Sequence, residues 1–233
     1  MVADADIDVT VWGDFALFSR PEFKVERVSY PIITPSAARG VLEAIFWKPE
    51  FRYRIQEIVV VEPGTQMSLL RNELSDRQGK NPIFIEDKRQ QRTSLILKNV
   101  RYRLKAAIAL QPHTKDPIPK YTSQFERRLD RGQCFSRPYL GTREFAAHFA
   151  PPGNDDLPAA NFNLKVGTML FDLAFVKDTK RPEMAFAIHE AGRGIEVKGY
   201  AQALYFDAEV KEGVMKVPQE KYEELARLEH GHA

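Results

Sequence analysis

The segment IFIEDKRQQRTSLILKNVRYRLKAAIAL, Ile83–Leu110, reads as two strands around a polar, basic stretch. In the second of these, Val100, Tyr102, Leu104 and Ala106 alternate with Arg101, Arg103 and Lys105. Successive side chains of a strand point to opposite faces, so the period predicts one packed face and one row of positive charge. Toward the N-terminus, YRIQEIVVVE (Tyr53–Glu62) is rich in β-branched residues and predicts another strand. Between the two, Gly64–Asn81 has weak periodicity and several turn formers.

Further out on the N-terminal side, Thr34 is placed to cap a helix whose first position is Pro35, where the missing N–H does no harm. Ala38, Val41, Leu42 and Ile45 give that helix an apolar face, and Pro49 lies beyond its end. Ile7, Val9 and Val11 alternate with Asp8, Thr10 and Trp12 in a first strand. On the C-terminal side, Tyr121, Phe125 and Leu129 recur at i, i+4 and i+8 in a helix after Pro119, with Gly132 as its stop. Tyr139–Phe149 is expected to supply a further strand.

This order predicts an α+β chain: a ferredoxin-like (RRM-like) βαββαβ domain over residues 1–150, with a basic β-hairpin inserted near residues 65–98. A boundary is expected in Ala150–Asn163, rich in Pro, Asn and Asp. TMLFDLAFV, EMAFAIHEAG and YAQALYFDAEV then read as strands and Gln219–Glu229 as a short helix. Residues 151–233 are thus expected to form a small antiparallel β-sheet domain.

Charge is distributed unevenly. The whole chain is only +2, but Ile85–Arg143 holds 14 Lys/Arg against 5 Asp/Glu, and both flanks are net acidic. Within that region, KYTSQFERRLDRGQCFSRPYLGTREF (Lys120–Phe145) interleaves six Lys/Arg with five Phe/Tyr. Cations among flat rings suit a phosphate backbone with unstacked bases, which points to RNA. Candidate contacts are Arg127, Arg128, Arg131, Arg137 and Arg143 in this block, Lys88, Arg89 and Arg92 in the hairpin, and Arg39 near the first helix start. Binding of double-stranded DNA through the same surface is a further possibility. Trp12 and Phe15 are expected in the core, and His148 and His189 as packing residues of strands.

Cys134 is the single cysteine, which excludes intramolecular disulfides and cysteine-rich zinc sites. The histidines show no metal-ligand spacing, so no metal or cofactor is expected. No stretch approaches the ~20 apolar residues of a membrane span. MVADADIDVTVW lacks the cationic start and apolar core of a signal peptide. The sequence therefore predicts a cytoplasmic protein with no membrane partner.

The strings VWGDFALFSRPEFKVERVSYPIITPSAARGVLEAIFWKPEF (Val11–Phe51) and RRLDRGQCFSRPYLGTREF (Arg127–Phe145) resemble the subtype I-C (Dvulg) members of the fifth CRISPR-associated protein family. The resemblance is strong from Val11 to Phe145 and continues weakly to the C-terminus. It implies a ferredoxin-like domain with a basic hairpin and a small C-terminal β domain. It also implies binding of the CRISPR repeat RNA hairpin and metal-independent cutting of the precursor transcript at the hairpin base. The protein then stays with the RNA beside the other subunits of the type I-C interference complex.

Such cleavage uses the 2′-hydroxyl before the scissile phosphate as nucleophile. A base takes its proton, a cation stabilises the phosphorane, and an acid protonates the departing 5′-oxygen, leaving a 2′,3′-cyclic phosphate. The family's site combines a Tyr near the end of the first helix with a Lys-His pair before the second. In this chain the matching positions are Phe46, Lys120 and Tyr121. Phe46 can stack on a base but transfers no proton, and the ordinary phenol pKa near 10 makes Tyr121 a poor base at neutrality. Two readings stay open. In one, Lys120 acts with Tyr121 or His113 in an endoribonuclease site; in the other, the chain is a catalytically weak or inactive RNA-binding structural subunit.

Overall fold

The alternating pattern of β1 (Asp4–Ala16) puts Ile7, Val9 and Val11 on one face, and all three are buried. The computed structural model describes residues 4–23, 25–76, 79, 81–190 and 193–230. After β1 come α1 (Pro35–Ile45), β2 (Phe51–Glu62), β3 (Thr65–Leu74), the single-turn α2 (Ile85–Lys88), β4 (Arg89–Leu110), α3 (Ile118–Asp130) and β5 (His148–Ala150). One antiparallel sheet runs in the order β5-β1-β4-β2, with β9 (Val214–Lys216) on the outer edge of β2. β3 pairs with the first half of β4, from Thr65↔Lys98 to Leu74↔Arg89.

The packed faces follow the apolar periods. Val100, Tyr102, Leu104, Ala106 and Ile108 of β4 are buried, and so are Tyr53, Ile55, Ile58 and Val60 of β2. The α1 stripe of Ala38, Val41, Leu42 and Ile45 and the α3 stripe of Tyr121, Phe125 and Leu129 join the same core. Thr34 caps α1 as expected, its Oγ1 accepting from the Ala37 N–H at 3.2 Å.

Two expectations are corrected. Ile83–Leu110 is not two strands around a polar stretch: Ile85–Lys88 is a helical turn, and the polar residues Arg89–Arg92 already belong to β4. The partner strand comes instead from the weakly periodic Thr65–Leu74. One face of this arm, Met67, Leu69, Arg71 and Glu73, is only half-buried, and the exposed face carries Leu70 and Leu74, so no clean apolar alternation marks it. Arg77, Gln78 and Lys80, which follow β3 in the sequence, lie outside the described residues.

The strand expected over Tyr139–Phe149 contracts to His148–Ala150. Gly141 has φ +88°, and a Cβ there would lie 1.9 Å from the Leu17 carbonyl oxygen. The chain turns at this point, closed by the Leu140 N–H donating to the Phe145 carbonyl at 2.8 Å. The glycine serves a close approach to Leu17.

β6 (Leu164–Lys177), β7 (Met184–Glu190) and β8 (Arg193–Val210) form a second antiparallel sheet in the order β6-β8-β7. Ala191 and Gly192, part of the expected strands here, lie outside the described residues. α4 (Glu220–His230) packs on this sheet, with the Tyr222 and Phe171 ring centroids 4.8 Å apart. The Tyr222 hydroxyl accepts from the Ile55 N–H at 2.7 Å, beside a register shift in β2. One hydrophobic core runs through both sheets, from Ile7 to Leu225. The architecture is thus mixed α/β with antiparallel sheets. No helix among the described residues is long and apolar enough to cross a membrane.

Candidate nucleic-acid interface

The cations of the central strand are neutralised. Arg103 is held by Asp8 at 2.6 Å, Lys105 by Glu57 at 2.9 Å, and Arg101 by Asp156 at 3.0 Å with Glu62 at 3.6 Å. The expected row of positive charge is therefore a row of ion pairs, made by carboxylates of β1, β2 and the segment after β5 that become neighbours only in the fold. Asp156, in the segment between the sheets, is buried and also accepts from Thr10 at 2.8 Å and the Gly153 N–H at 2.8 Å. Trp12, expected in the core, lies half-buried on this face, with the Arg101 guanidinium 4.7 Å over its ring. The His148 ring stacks on Trp12 at 5.7 Å.

Several of the other candidate cations carry no ion pair. Among the described residues, Arg89, Arg127, Arg128, Arg131, Arg137 and Arg143 have no carboxylate within ion-pair distance. Lys120, Arg127 and Arg131 are exposed on or just past α3, opposite its buried stripe. At 1.5 Å per residue they span about 16 Å along the helix. Gly132, at φ +60°, ends the helix: its N–H reaches the Leu129 carbonyl at 3.2 Å, and the Gln133 N–H reaches that of Arg128 at 2.8 Å. In the hairpin, Lys88 is paired with Asp76 at 2.7 Å, while Arg92 lies 3.8 Å from Glu73 and donates to Gln90. Arg89 alone of that trio is free.

Three candidate contacts are turned inward. Arg39 donates to both oxygens of Asp172 at 2.8 Å and to Glu43 at 2.6 Å, so its fork ties α1 to β6 instead of facing solvent. A register shift between Leu170 and Asp172 buries Phe171 and Asp172 in succession, which is how the carboxylate reaches Arg39. Phe46 is 1% exposed and packed against Phe51 at 5.4 Å, which leaves no face for a base. Arg128 sits 5.1 Å over the Phe46 ring and donates to the Ile45 carbonyl at 2.7 Å, closing the end of α1. No sequence period announces Asp172; only the bulge reveals it.

The candidate catalytic residues lie around the start of α3. Lys120 is exposed and paired with Asp116 at 2.6 Å, one helical turn before it. Exposed pairs of this kind are worth about 0–1 kcal/mol, so a phosphate can displace the carboxylate. Tyr121 is 3% exposed, and its hydroxyl has no hydrogen-bond partner. Burial, with Glu50 and Asp116 beside it, raises the phenol above its ordinary pKa. His113 Nε2 and Glu50 Oε2 are likewise buried without a partner. The 111–114 turn is pinned to the same place, since the Gln111 N–H and the Thr114 hydroxyl both donate to the Glu50 carbonyl, at 2.7 and 2.5 Å. Glu50 was not singled out in the sequence; its place after Pro49, where the chain turns into β2, was the available signal.

The model of the family described as CRISPR-associated protein (Cas5), in its Cas5d form, matches residues 6–218. A Thermus thermophilus protein named CRISPR pre-crRNA endoribonuclease Cas5d is 60% identical over 229 residues, covering 98% of each chain. A protein of the same name from Mannheimia succiniciproducens is 38% identical, over 95% of this chain and 98% of its own. Among solved structures, one titled as a CRISPR-associated protein superposes with a TM-score of 0.64 at 20% identity, over 95% of this chain and 96% of that one. A functionally uncharacterized Streptococcus mutans protein, SMU1763c, gives 0.63 at 18% identity, over 95% and 97%. These structures share the fold. With a family match across most of its length, the chain belongs to the Cas5 family of CRISPR-associated proteins.

Proposed function

We propose that this chain binds the CRISPR repeat hairpin in the precursor transcript, cuts it, and remains on the RNA as a subunit of the type I-C interference complex. The observation that carries the reading is the 60% identity, end to end, with a protein named for pre-crRNA cleavage. Physical support comes from the cluster of unpaired arginines on and after α3, beside Lys120. An RRM sheet stacks bases on its open face. Here that face holds ion pairs and the buried Asp156, which favours the helix side for RNA. The strand order β5-β1-β4-β2, with α1 and α3 after β1 and β4, supports a ferredoxin-like reading of the first sheet. On that reading residues 1–150 are the RNA-processing unit and the second sheet belongs to a smaller C-terminal one.

In the cleavage step, the 2′-oxygen attacks phosphorus as its proton passes to a base, and the 5′-oxygen leaves with a proton from an acid. Lys120 supplies positive charge to the phosphorane once phosphate replaces Asp116. His113 and Tyr121, with unpartnered polar atoms at the same end of α3, are the candidates for proton transfer. A raised phenol pKa keeps Tyr121 protonated at neutrality, which leaves it the acid's role and not the base's, and makes it a weaker acid than an ordinary phenol.

A second reading is favoured by one observation: Phe46 and Tyr121 are both sealed in the core, so the site is short of proton carriers. On that reading the chain holds RNA and cuts slowly or not at all. Single-turnover incubation of repeat RNA with purified protein in EDTA separates the two. A 2′,3′-cyclic phosphate product, lost in Lys120→Ala while binding persists, is the expected result. Intact RNA with tight binding would overturn cleavage and leave the structural role. Competition between the RNA hairpin and a DNA duplex ranks the two partners for the basic surface.

A further inference from the structure

The last turn of α1 carries an aromatic surface that the roles above leave unused. Trp47 follows the helix, is 39% exposed, and meets the exposed His189 of β7 edge-on, with ring centroids 5.3 Å apart. His189 was expected as a packing residue of a strand; it lies instead on this surface. Phe135 is 78% exposed and is fastened to the same turn, its N–H donating to the Ala44 carbonyl at 2.9 Å and that of Ile45 at 3.2 Å. The fold gains little apolar burial from a ring left so open, yet it fixes the backbone beneath it.

Charge decides the occupant. Arg131 and Arg137 bracket Phe135 in the chain, and both are exposed without a carboxylate partner among the described residues. Flat rings ask for a partner with π-faces, and free arginines ask for an anion. An acidic protein segment satisfies the second demand and not the first; unpaired nucleotides satisfy both. Trp12, the other tryptophan, already carries Arg101 and His148 against its ring.

We propose that Trp47, Phe135 and His189 form a stacking platform for unpaired bases of RNA, with Arg131 and Arg137 taking the neighbouring phosphates. The platform rests on the RNA-binding reading above. It adds a subsite for single-stranded sequence that shares Arg131 and Arg137 with the basic surface of α3. Its sequence tolerance follows from stacking, because every base has a π-face.

The test uses the full chain and a fluorescent single-stranded RNA decamer of mixed sequence. With Trp12→Phe as background, Trp47 is the sole tryptophan, and its emission should be quenched in step with binding. Trp47→Leu should lower affinity about tenfold, within the range of one base stack. Trp47→Phe should restore most of that loss, and His189→Ala should give a smaller one, with thermal melts unchanged. A decamer with abasic riboses should bind wild type and Trp47→Leu alike. Should Trp12→Phe fail to fold, the affinity series decides alone. Equal affinity of wild type, Trp47→Leu and His189→Ala overturns the platform, assigns this surface to a protein partner and leaves RNA binding standing. Failure of the wild type to bind either this decamer or repeat RNA overturns both.

Discussion

Tyr121 shows how a side chain at a proposed catalytic position can still be shaped by packing. Its ring touches Phe51 at 5.4 Å within the core, while its hydroxyl sits buried with no partner near Glu50. A buried hydroxyl without a hydrogen bond costs stability. Tyr121→Phe should therefore melt at the same temperature as the wild type or higher, a gain of up to ~1 kcal/mol. If the phenol delivers a proton, single-turnover cleavage falls in the same variant while RNA affinity holds. Equal cleavage rates would move proton transfer to His113. The phenylalanine at position 46 was legible as a lost proton carrier; its burial beneath Arg128 was not, because that contact joins residues 82 positions apart.

At the scale of elements, α3 explains why the basic region works as a surface instead of a diffuse charge. Its buried stripe fixes the orientation, and its glycine-closed end sends the chain back across α1 with Phe135 and Arg137 displayed. The 3.6-residue period made this helix readable in advance, including which side is basic. β4 is the contrast. Its alternation was equally clear, yet the predicted cationic row is matched by Asp8, Glu57 and Asp156 from three separate segments. Reversing Arg127 and Arg131 to Glu should weaken repeat-RNA binding and flatten the slope of log affinity against log salt by about 1–2. Titrations at several salt concentrations read this directly, and an unchanged slope would make that helix face a solvated surface only.

Across the whole molecule, two sheets share one core, and buried polar contacts hold their relative position. Arg39 joins α1 to β6 through Asp172, Tyr222 of α4 reaches the backbone of β2, and Asp156 clasps β1 and β4. Burial opposes ionisation of Asp156, but hydrogen bonds from Gly153, Thr10 and Arg101 outweigh it and hold the carboxyl below its usual pKa. A folded-state pKa below the unfolded value means that the unfolded chain takes up the proton more readily. The contribution is therefore present above about pH 4, the ordinary carboxylate value, and is lost as pH falls through the lower folded value. Asp156→Asn should cost about 1–3 kcal/mol at neutral pH. Melting curves of the two proteins should converge as the solution is made more acidic than pH 4; a constant gap would argue against the carboxylate as the cause.

By itself the sequence determined what is local or periodic: the caps, the two amphipathic helices, the alternating strands, the basic block and its likeness to a family. Those features depend on neighbours within a few residues, where propensity and period act directly. Tertiary structure alone decided which cations are free and which rings are open. Arg39, Arg101, Arg103 and Lys105 met carboxylates brought from distant segments, Phe46 was sealed inside, the Trp47 and His189 rings met, and the backbone of Phe135 was tied to the end of α1. The physical reason is that ion pairing and exposure are set by contacts in space, and a charge or ring in the chain carries no record of the partner that folding will place beside it.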